Sequence, residues 1–325
     1  TIPEPVIESN GITMPLETLI TAWENTLENV FPTKVEREAS KVKSIEYNKD
    51  SQIKKLSRIA RPKVLIPACY GTNSELDIRR KFDEAGADTE VFVFRNLTPA
   101  EITDSIDAMK KLIDESQILI MPGGYSATDE LNGSEMFIEA LFRNPVLTES
   151  VMNLLNKRDG LILGIGSGFK VLLKLGLLPY GEIRPYDDSS PVLTFNTLGR
   201  HISAPVYTKV VSNLSPWMSK TKVGEIYTVA ASSSEGRFVA TESLLEEMEK
   251  SGQITTQYVD LNGNPTMDIP YNPYGSMLAI EGITSKDGRI LGKMGHNERY
   301  TQNTLKNVIG DKDQKIFKAG VEYFL

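Results

Sequence analysis

The sequence predicts an α/β fold: an open, doubly wound sheet that is mainly parallel, with antiparallel strands added in the C-terminal half. From Pro62 onward, short apolar runs alternate with stretches of helical periodicity, which is the pattern of βαβ units. Two glycine-rich turns, at 122–126 and 164–168, directly follow apolar runs. Ser285-Lys-Asp-Gly288 separates two further apolar runs and predicts an antiparallel hairpin. A sheet of this kind places its ligand beyond the carboxyl ends of the strands.

The N-terminal residues predict a short amphipathic helix. Pro15 is suited to begin it, and the apolar side chains that follow recur at helical spacing. These side chains are Leu16, Leu19, Ile20, Trp23, Leu27 and Val30. We interpret residues 1–34 as this helix with its lead. We expect it to pack against a neighbouring domain rather than to recruit a separate protein, because most such stripes belong to a core.

Residues 35–61 form a charged segment. They hold eight Lys or Arg against four Asp or Glu, a net charge of +4, while the rest of the chain carries −11. With Tyr47 as its one aromatic side chain, the segment offers little for stacking on bases. It therefore predicts a solvated linker rather than a nucleic-acid-binding patch, and residues 62–325 are predicted to form the domain that follows.

The parallel part of the sheet is predicted element by element from the apolar runs. The predicted strands are 63–67, 89–94, 117–121 and 160–165, and the predicted helices between and after them are 74–85, 99–115, 134–142, 144–157 and 169–175. Beyond residue 190 the apolar runs are shorter, and 277–283 with 289–294 form the predicted hairpin.

The composition excludes several classes of protein. The 325 residues carry a net charge of −7, with a pI near 5.2, so no overall positive field attracts nucleic acid or an anionic membrane. The apolar runs are too short to span a bilayer. One cysteine, Cys69, and two histidines, His201 and His296, cannot form a disulfide or a Cys/His zinc cluster. We therefore expect a cytoplasmic protein without a metal site, whose partners are small molecules or proteins.

The second glycine-rich turn, Gly164-Ile-Gly-Ser-Gly-Phe169, lies between an apolar run and a predicted helix. This order of strand, tight turn and helix presents a nucleophile on a strained elbow, with backbone N–H groups nearby for an oxyanion. A phosphate-binding loop is the alternative, because the three glycines match the start of a dinucleotide fingerprint. Phe169 departs from the small residue that closes that fingerprint.

A series of colinear segments carries a resemblance to a known family. These segments are 62–94, 122–126, 158–164, 175–183, 212–217, 224–226, 257–260 and 282–299. Together they resemble the glutaminase domain of phosphoribosylformylglycinamidine synthase, the amidotransferase of purine biosynthesis, over nearly the whole chain. Residues 16–34 resemble the last stretch of the ATP-using synthetase portion of that enzyme. The resemblance implies a flavodoxin-like sheet of the class I glutamine amidotransferase type.

The resemblance also implies a Cys-His-Glu triad, of which two members are expected to be absent. The family elbow reads Gly-Ile-Cys-Asn-Gly-Phe-Gln where this chain has Gly164-Ile-Gly-Ser-Gly-Phe-Lys170, so Gly166 holds the nucleophile position. The family sequence Ser-His-Gly-Glu-Gly-Arg-Phe corresponds to Ser232-Ser-Ser-Glu-Gly-Arg-Phe238. This assigns the base position to Ser233 and leaves Glu235 as the orienting acid. Glycine has no side-chain atom that can attack an amide.

Residues near the elbow are expected to keep supporting roles. Gly123, Gly124 and Ser167 are expected at the oxyanion pocket, and the Ser167 hydroxyl is expected to diverge from the nucleophile's place. His296 and Glu298 are expected near this pocket or at a domain interface, outside the triad.

Three further features are interpreted as structural. Cys69 is expected to be a buried packing thiol, and His201 a hydrogen-bonded structural residue. Asp187-Asp188 is expected in a solvated loop.

The leading hypothesis is a glutaminase-like structural or regulatory module that cannot hydrolyse glutamine. Its partners would be synthetase domains of the same protein or of a partner subunit, with glutamine as a ligand of a vestigial pocket. No cofactor is expected in this chain, since ATP and magnesium belong to the synthetase portion of the family. Two alternatives stay open: a ligand- or protein-binding pseudo-amidotransferase outside purine synthesis, and a repurposed hydrolase that uses Ser167 and Glu235.

Overall fold

The computed structural model describes residues 5–30, 32, 42–48, 58–124 and 134–325. Its strands are β1 Val6–Ser9, β2 Ile12–Pro15, β3 Lys63–Ala68, β4 Asp88–Val93, β5 Ile118–Met121, β6 Leu161–Ile165, β7 Val192–Thr194, β8 Ile202–Val210, β9 Ile226–Ser233, β10 Arg237–Val239, β11 Ile254–Tyr258, β12 Ile280–Thr284 and β13 Ile290–Lys293. Its helices are α1 Leu16–Glu24, α2 Glu75–Glu84, α3 Pro99–Glu115, α4 Ser134–Phe142, α5 Pro145–Asn156, α6 Ser167–Leu175, α7 Leu177–Tyr180, α8 Glu242–Ser251 and α9 Ile316–Glu322.

The central sheet, as far as the described residues show it, has nine strands in the order β4-β3-β5-β6-β13-β12-β11-β8-β9. The strands from β4 to β13 in this order are parallel. The pairs from β13 to β9 are antiparallel. The prediction of a mainly parallel α/β sheet with antiparallel additions is therefore confirmed, including the hairpin of β12 and β13.

The start of that hairpin differs from the prediction. Residues 277–279 were expected to belong to the strand, and they form a short 3-10 turn instead. Leu278 and Ala279 have φ values of 50° and 54°, a left-handed conformation that a strand cannot continue. The strand β12 therefore begins at Ile280.

The core is built on the middle strands, which are buried on both faces. Every residue of β5 and β6 is buried, as their unbroken apolar sequences predict for a parallel sheet. Helix α6 lies across β5, β6 and β13. This contact is close because Gly168 has no side chain: a Cβ there would stand 1.9 Å from the carbonyl oxygen of Met121. Gly168 thus allows the start of α6 to pack directly against the carboxyl end of the sheet.

The N-terminal residues form the hairpin β1–β2, followed by α1. Helix α1 begins directly after Pro15, as predicted, but none of its residues is buried. Trp23, in the predicted apolar stripe, is 81% exposed. The expectation that this stripe packs against a neighbouring domain stays a prediction.

The predicted solvated linker is described only in part, and that part lies on the domain. Ile45 is buried, and its N–H donates to Oε1 of Gln257 at 3.0 Å. The N–H of Tyr47 donates to the carbonyl of Val211 at 2.8 Å. Ile45 and Tyr47 therefore hold this part of the segment on the domain, while the side chains between and beside them stay exposed. Residues 35–41 and 49–57 lie outside the described residues.

No helix in the described ranges is long and apolar enough to cross a membrane.

Candidate functional site

The elbow connects β6 to α6 through one residue, Gly166. Its φ and ψ are 58° and −118°, a conformation that glycine adopts easily and other residues adopt only with strain. The N–H of Gly166 donates to the carbonyl oxygen of Lys293 at 2.8 Å. Because Lys293 ends β13, the neighbour of β6, this bond joins the elbow to the segment that follows β13.

The imidazole of His296 lies directly beside the elbow. A Cβ atom on Gly166 would stand 3.1 Å from Cε1 and 3.4 Å from Nε2 of His296, and the next nearest atom, Cα of Gly123, would be 4.0 Å away. His296 is buried. A side chain at position 166 would therefore emerge against the Nε2 edge of this ring.

A carboxylate orients the ring from its other side. Nδ1 of His296 lies 2.7 Å from Oε1 of Glu298, and the Glu298 side chain is fully buried. Because an ionised carboxylate only accepts hydrogen bonds, Nδ1 is the donor and Nε2 is left to accept a proton on the side of Gly166. The order of position 166, imidazole and carboxylate is that of a nucleophile, base and acid triad whose first member has no side chain.

The predicted oxyanion residues lie at this elbow. The N–H of Gly124 donates to Oγ of Ser167 at 2.8 Å, and this hydroxyl donates to the carbonyl of Gly124 at 3.2 Å. A Cβ on Gly123 would stand 3.4 Å from Cε1 of His296. The structure thus brings Gly123, Gly124 and Ser167 together, with the Gly124 N–H bound to Ser167. Tyr125 and Ser126, which complete the predicted turn, lie outside the described residues.

The family resemblance assigns the base and acid positions to Ser233 and Glu235, but neither is among the atoms nearest to a Cβ at position 166. Oγ of Ser233 accepts the N–H of Glu235 at 3.0 Å. The carboxylate of Glu235 forms an ion pair with Lys170. The ring that meets position 166 is that of His296, because it follows β13, which pairs directly with β6.

Comparison with known proteins shows the family of this chain. Residues 61–324 match the family model of the CobB/CobQ-like glutamine amidotransferase domain. The chain belongs to this family. The phosphoribosylformylglycinamidine synthase subunit PurQ of Methanococcus maripaludis is 32% identical over 283 residues, covering 81% of this chain and 97% of that protein. The same subunit of Treponema denticola is 28% identical and covers 82% of this chain and 100% of that protein.

A solved structure confirms the fold of this glutamine amidotransferase domain. In the structure of PurLQS from Thermotoga maritima, one chain superposes with a TM-score of 0.59 at 20% identity. The superposition covers 82% of the present chain and 100% of that chain.

Behind the amidotransferase elbow lies a buried ion pair that the sequence analysis missed. Nζ of Lys293 lies 2.6 Å from Oε2 of Glu281, and neither side chain is exposed. Oε1 of Glu281 accepts the N–H of Gly295 at 2.7 Å. The pair therefore supports the turn that leads into His296. Its signal in the sequence is a charged residue in each of two otherwise apolar strands of one hairpin.

The sequence analysis predicts structural roles for Cys69, His201 and Asp187-Asp188. Cys69 is buried, and this burial raises the pKa of its thiol to about 12. Nε2 of His201 lies 3.0 Å from Oγ of Ser232. Asp187 is exposed, and its carboxylate accepts hydrogen bonds from Ser189 and Ser190, as expected for a solvated loop. Within the described ranges no group of acidic, histidine and cysteine side chains is suited to hold a metal ion.

Proposed function

We propose that this chain is a PurQ-like glutaminase module that does not hydrolyse glutamine through a covalent intermediate. The observation that carries this proposal is the elbow itself. Position 166 meets a buried imidazole at contact distance, and Gly166 supplies no atom for the reaction.

The missing side chain at position 166 matters because the reaction is covalent. Covalent amide hydrolysis needs a side-chain nucleophile that attacks the carbonyl carbon, followed by departure of ammonia and hydrolysis of the acyl intermediate. In this proposal His296 is the base that would accept the nucleophile's proton, and Glu298 holds the ring through Nδ1. Without an atom at position 166 to carry the acyl group, these two residues have no covalent intermediate to act on.

In this proposal Ser167 does not substitute for the missing group. Its hydroxyl makes two hydrogen bonds to the main chain of Gly124, one as donor and one as acceptor. The hydrolase alternative that joins Ser167 to Glu235 is also disfavoured, because the Glu235 carboxylate is paired with Lys170. We therefore assign Ser167 to support of the elbow.

We propose a structural or regulatory role beside a synthetase. The relatives in Methanococcus maripaludis and Treponema denticola are named as subunits of phosphoribosylformylglycinamidine synthase. The solved neighbour belongs to a PurLQS assembly. By analogy, the partner of this chain is a synthetase of the same protein or of a partner subunit, and ATP and magnesium belong to that synthetase. The exposed stripe of α1 favours such docking, because Trp23 lies in open solvent.

The test is the release of glutamate from L-glutamine by the purified chain. We expect a rate equal to that of buffer, and the same rate for Ser167→Ala and His296→Ala. Glutamate release above buffer that is lost in Ser167→Ala would restore the serine hydrolase alternative. Release that survives in Ser167→Ala but is lost in His296→Ala would show a route in which the imidazole activates water directly.

A further inference from the structure

A cavity of about 230 Å³ lies between β9 and the chain segment 297–312, which we call the arch. At the start of the arch, the N–H of His296 donates to the carbonyl of Ala230 at 2.8 Å. Near its end, the carbonyl of Asp311 accepts the N–H of Thr228 at 2.6 Å. Both contacts are made to β9, two residues apart, so the chain between them rises from the strand and covers the space.

A glycine allows the arch to come down onto β9. Oγ1 of Thr228 donates to the carbonyl of Ile309 at 2.8 Å. Gly310 has a φ of 108°, and a Cβ on it would stand 2.2 Å from the same Oγ1. Only glycine therefore permits this close approach. Because these contacts are made within the chain, the cavity is present in the free protein and needs no rearrangement to accept a ligand.

Much of the lining of this cavity is apolar. Thr228 and Thr304 also line it, but the hydroxyl of each donates to a main-chain carbonyl. An engineered apolar cavity of about 150 Å³ holds benzene, so a space of about 230 Å³ accommodates a six-membered ring with a short substituent. The apolar and aromatic residues of the lining are Val229, Ala230, Tyr300 and Leu305.

Lys312 gives this space a positive charge. It is half-buried and lines the cavity, and its Nζ donates to the carbonyl of Gly310 at 2.7 Å. In the part of the chain that the structure describes, no carboxylate lies within ion-pair distance of this ammonium group. The adjacent carboxylates of Asp311 and Asp313 accept main-chain N–H groups of the arch and its end instead. A lysine has three N–H donors, so Lys312 keeps donors for an anion.

Arg299 adds a second positive charge to the lining. One guanidinium N–H donates to Oδ1 of Asn73 at 3.3 Å, and Nε lies 3.9 Å from a carboxylate oxygen of Glu298. The guanidinium has five N–H donors, so several remain for a ligand. Two cations in one lining attract an anion and repel an amine. The cavity therefore combines an apolar interior with a preference for one negative charge.

We propose that this cavity binds an aromatic monocarboxylate. The ring occupies the apolar space between β9 and the arch, where Tyr300 offers an aromatic contact. The carboxylate accepts hydrogen bonds from Lys312 and Arg299, and the charges on both sides strengthen these bonds. This inference goes beyond the proposed function, because the elbow residues 164–168 do not line the cavity and the missing nucleophile plays no part in binding there.

The direct test is calorimetric titration of the full chain with phenylacetate, which combines a ring with one carboxylate. Acetate lacks the ring and 2-phenylethanol lacks the charge, so each should bind at least about tenfold more weakly. In NMR spectra, phenylacetate should shift the ring signals of His296, which lines the cavity, and not those of His201, which does not. No heat of binding with phenylacetate, or equal affinity for the three compounds, would overturn the proposal.

Variants locate the binding. Ala230→Leu fills part of the cavity and should weaken phenylacetate binding at least about tenfold. Lys312→Met should weaken the binding of phenylacetate but not of 2-phenylethanol, whereas Lys306→Met, the matched change at an exposed position of the arch outside the lining, should alter neither.

Thermal unfolding of each variant shows whether the fold is kept, and if Ala230→Leu unfolds, Lys312→Met carries the test. Phenylacetate binding that is unchanged in both variants would place the ligand elsewhere and refute the assignment.

Discussion

Nζ of Lys293 and Oε2 of Glu281 lie 2.6 Å apart, and neither side chain is exposed to solvent. The same lysine accepts the N–H of Gly166 through its carbonyl, and the same glutamate accepts the N–H of Gly295. One buried pair thus supports both halves of the site, the elbow and the turn that carries His296. A buried ion pair is costly to break, because removal of one partner leaves the other charge without compensation.

Lys293→Met is therefore expected to lower the free energy of unfolding by about 3–5 kcal/mol. The additional change Glu281→Gln should recover most of this loss, since it removes the unpaired charge and keeps an acceptor for Gly295. Urea denaturation of the two variants measures both values. If Lys293→Met lowers the free energy of unfolding by less than about 1 kcal/mol, the buried pair does not stabilise the fold.

Cys69 is expected to be inert toward alkylation in the folded protein. Burial raises the pKa of the thiol from its ordinary value of 9.0 to about 12, so the reactive thiolate is scarce at pH 8. Iodoacetamide should label Cys69 only after denaturation, as mass spectrometry of the intact protein will show. Rapid labelling of the native chain at pH 8 would contradict the buried position.

The same shift predicts a loss of stability at high pH. Below pH 9 the thiol is protonated in both states and has no effect. Between about pH 9 and 12 the unfolded chain releases the proton while the folded chain keeps it, so the free energy of unfolding decreases as pH rises. The decrease should be steeper in the wild type than in Cys69→Ala, when both are measured by urea denaturation across this range.

The docking of residues 42–48 can be tested by hydrogen exchange. The N–H groups of Ile45 and Tyr47 donate to Gln257 and Val211, and both should be protected from exchange. Ile45→Ala removes the buried side chain and should increase their exchange at least about tenfold, with little effect on β5. If these amides exchange as fast as those of an unfolded peptide in the wild type, the segment is solvated as the sequence first indicated.

The sequence predicts the sheet well because its middle strands are buried on both faces and are recognised by composition alone. It does not predict that β13 lies between β6 and β12, because pairing between distant segments has no local signal. That placement decides the site. Once β13 is next to β6, the residues after both strands meet at one edge, and His296 reaches Gly166.

The sequence and the structure therefore indicate different residues for the base. The resemblance of residues 232–238 to a His-containing family sequence predicts Ser233, whereas the side chain nearest to position 166 is His296, two residues before Glu298. This pair can be recognised by its position. A histidine and a glutamate follow one predicted strand, and the neighbouring strand ends in the elbow. The pair of Lys293 and Glu281 has a signal only when the two strands are considered together, because one charged residue in one apolar strand does not show that a partner lies opposite it.

Restoring a thiol at position 166 tests the account most directly. The change Gly166→Cys is expected to cost about 1–3 kcal/mol of stability, since a side chain at φ 58° is strained, and Gly166→Ala is the matched control for this strain.

The decisive measurement is glutamate release from L-glutamine by three proteins: the wild type, Gly166→Cys and Gly166→Ala. We expect the thiol variant to exceed the buffer rate at least about tenfold, the other two to remain at that rate, and the added activity to disappear when His296→Ala is combined with Gly166→Cys. Glutamate release by the wild type or by Gly166→Ala at the rate of the thiol variant would contradict the claim that the missing side chain at position 166 silences this amidotransferase site.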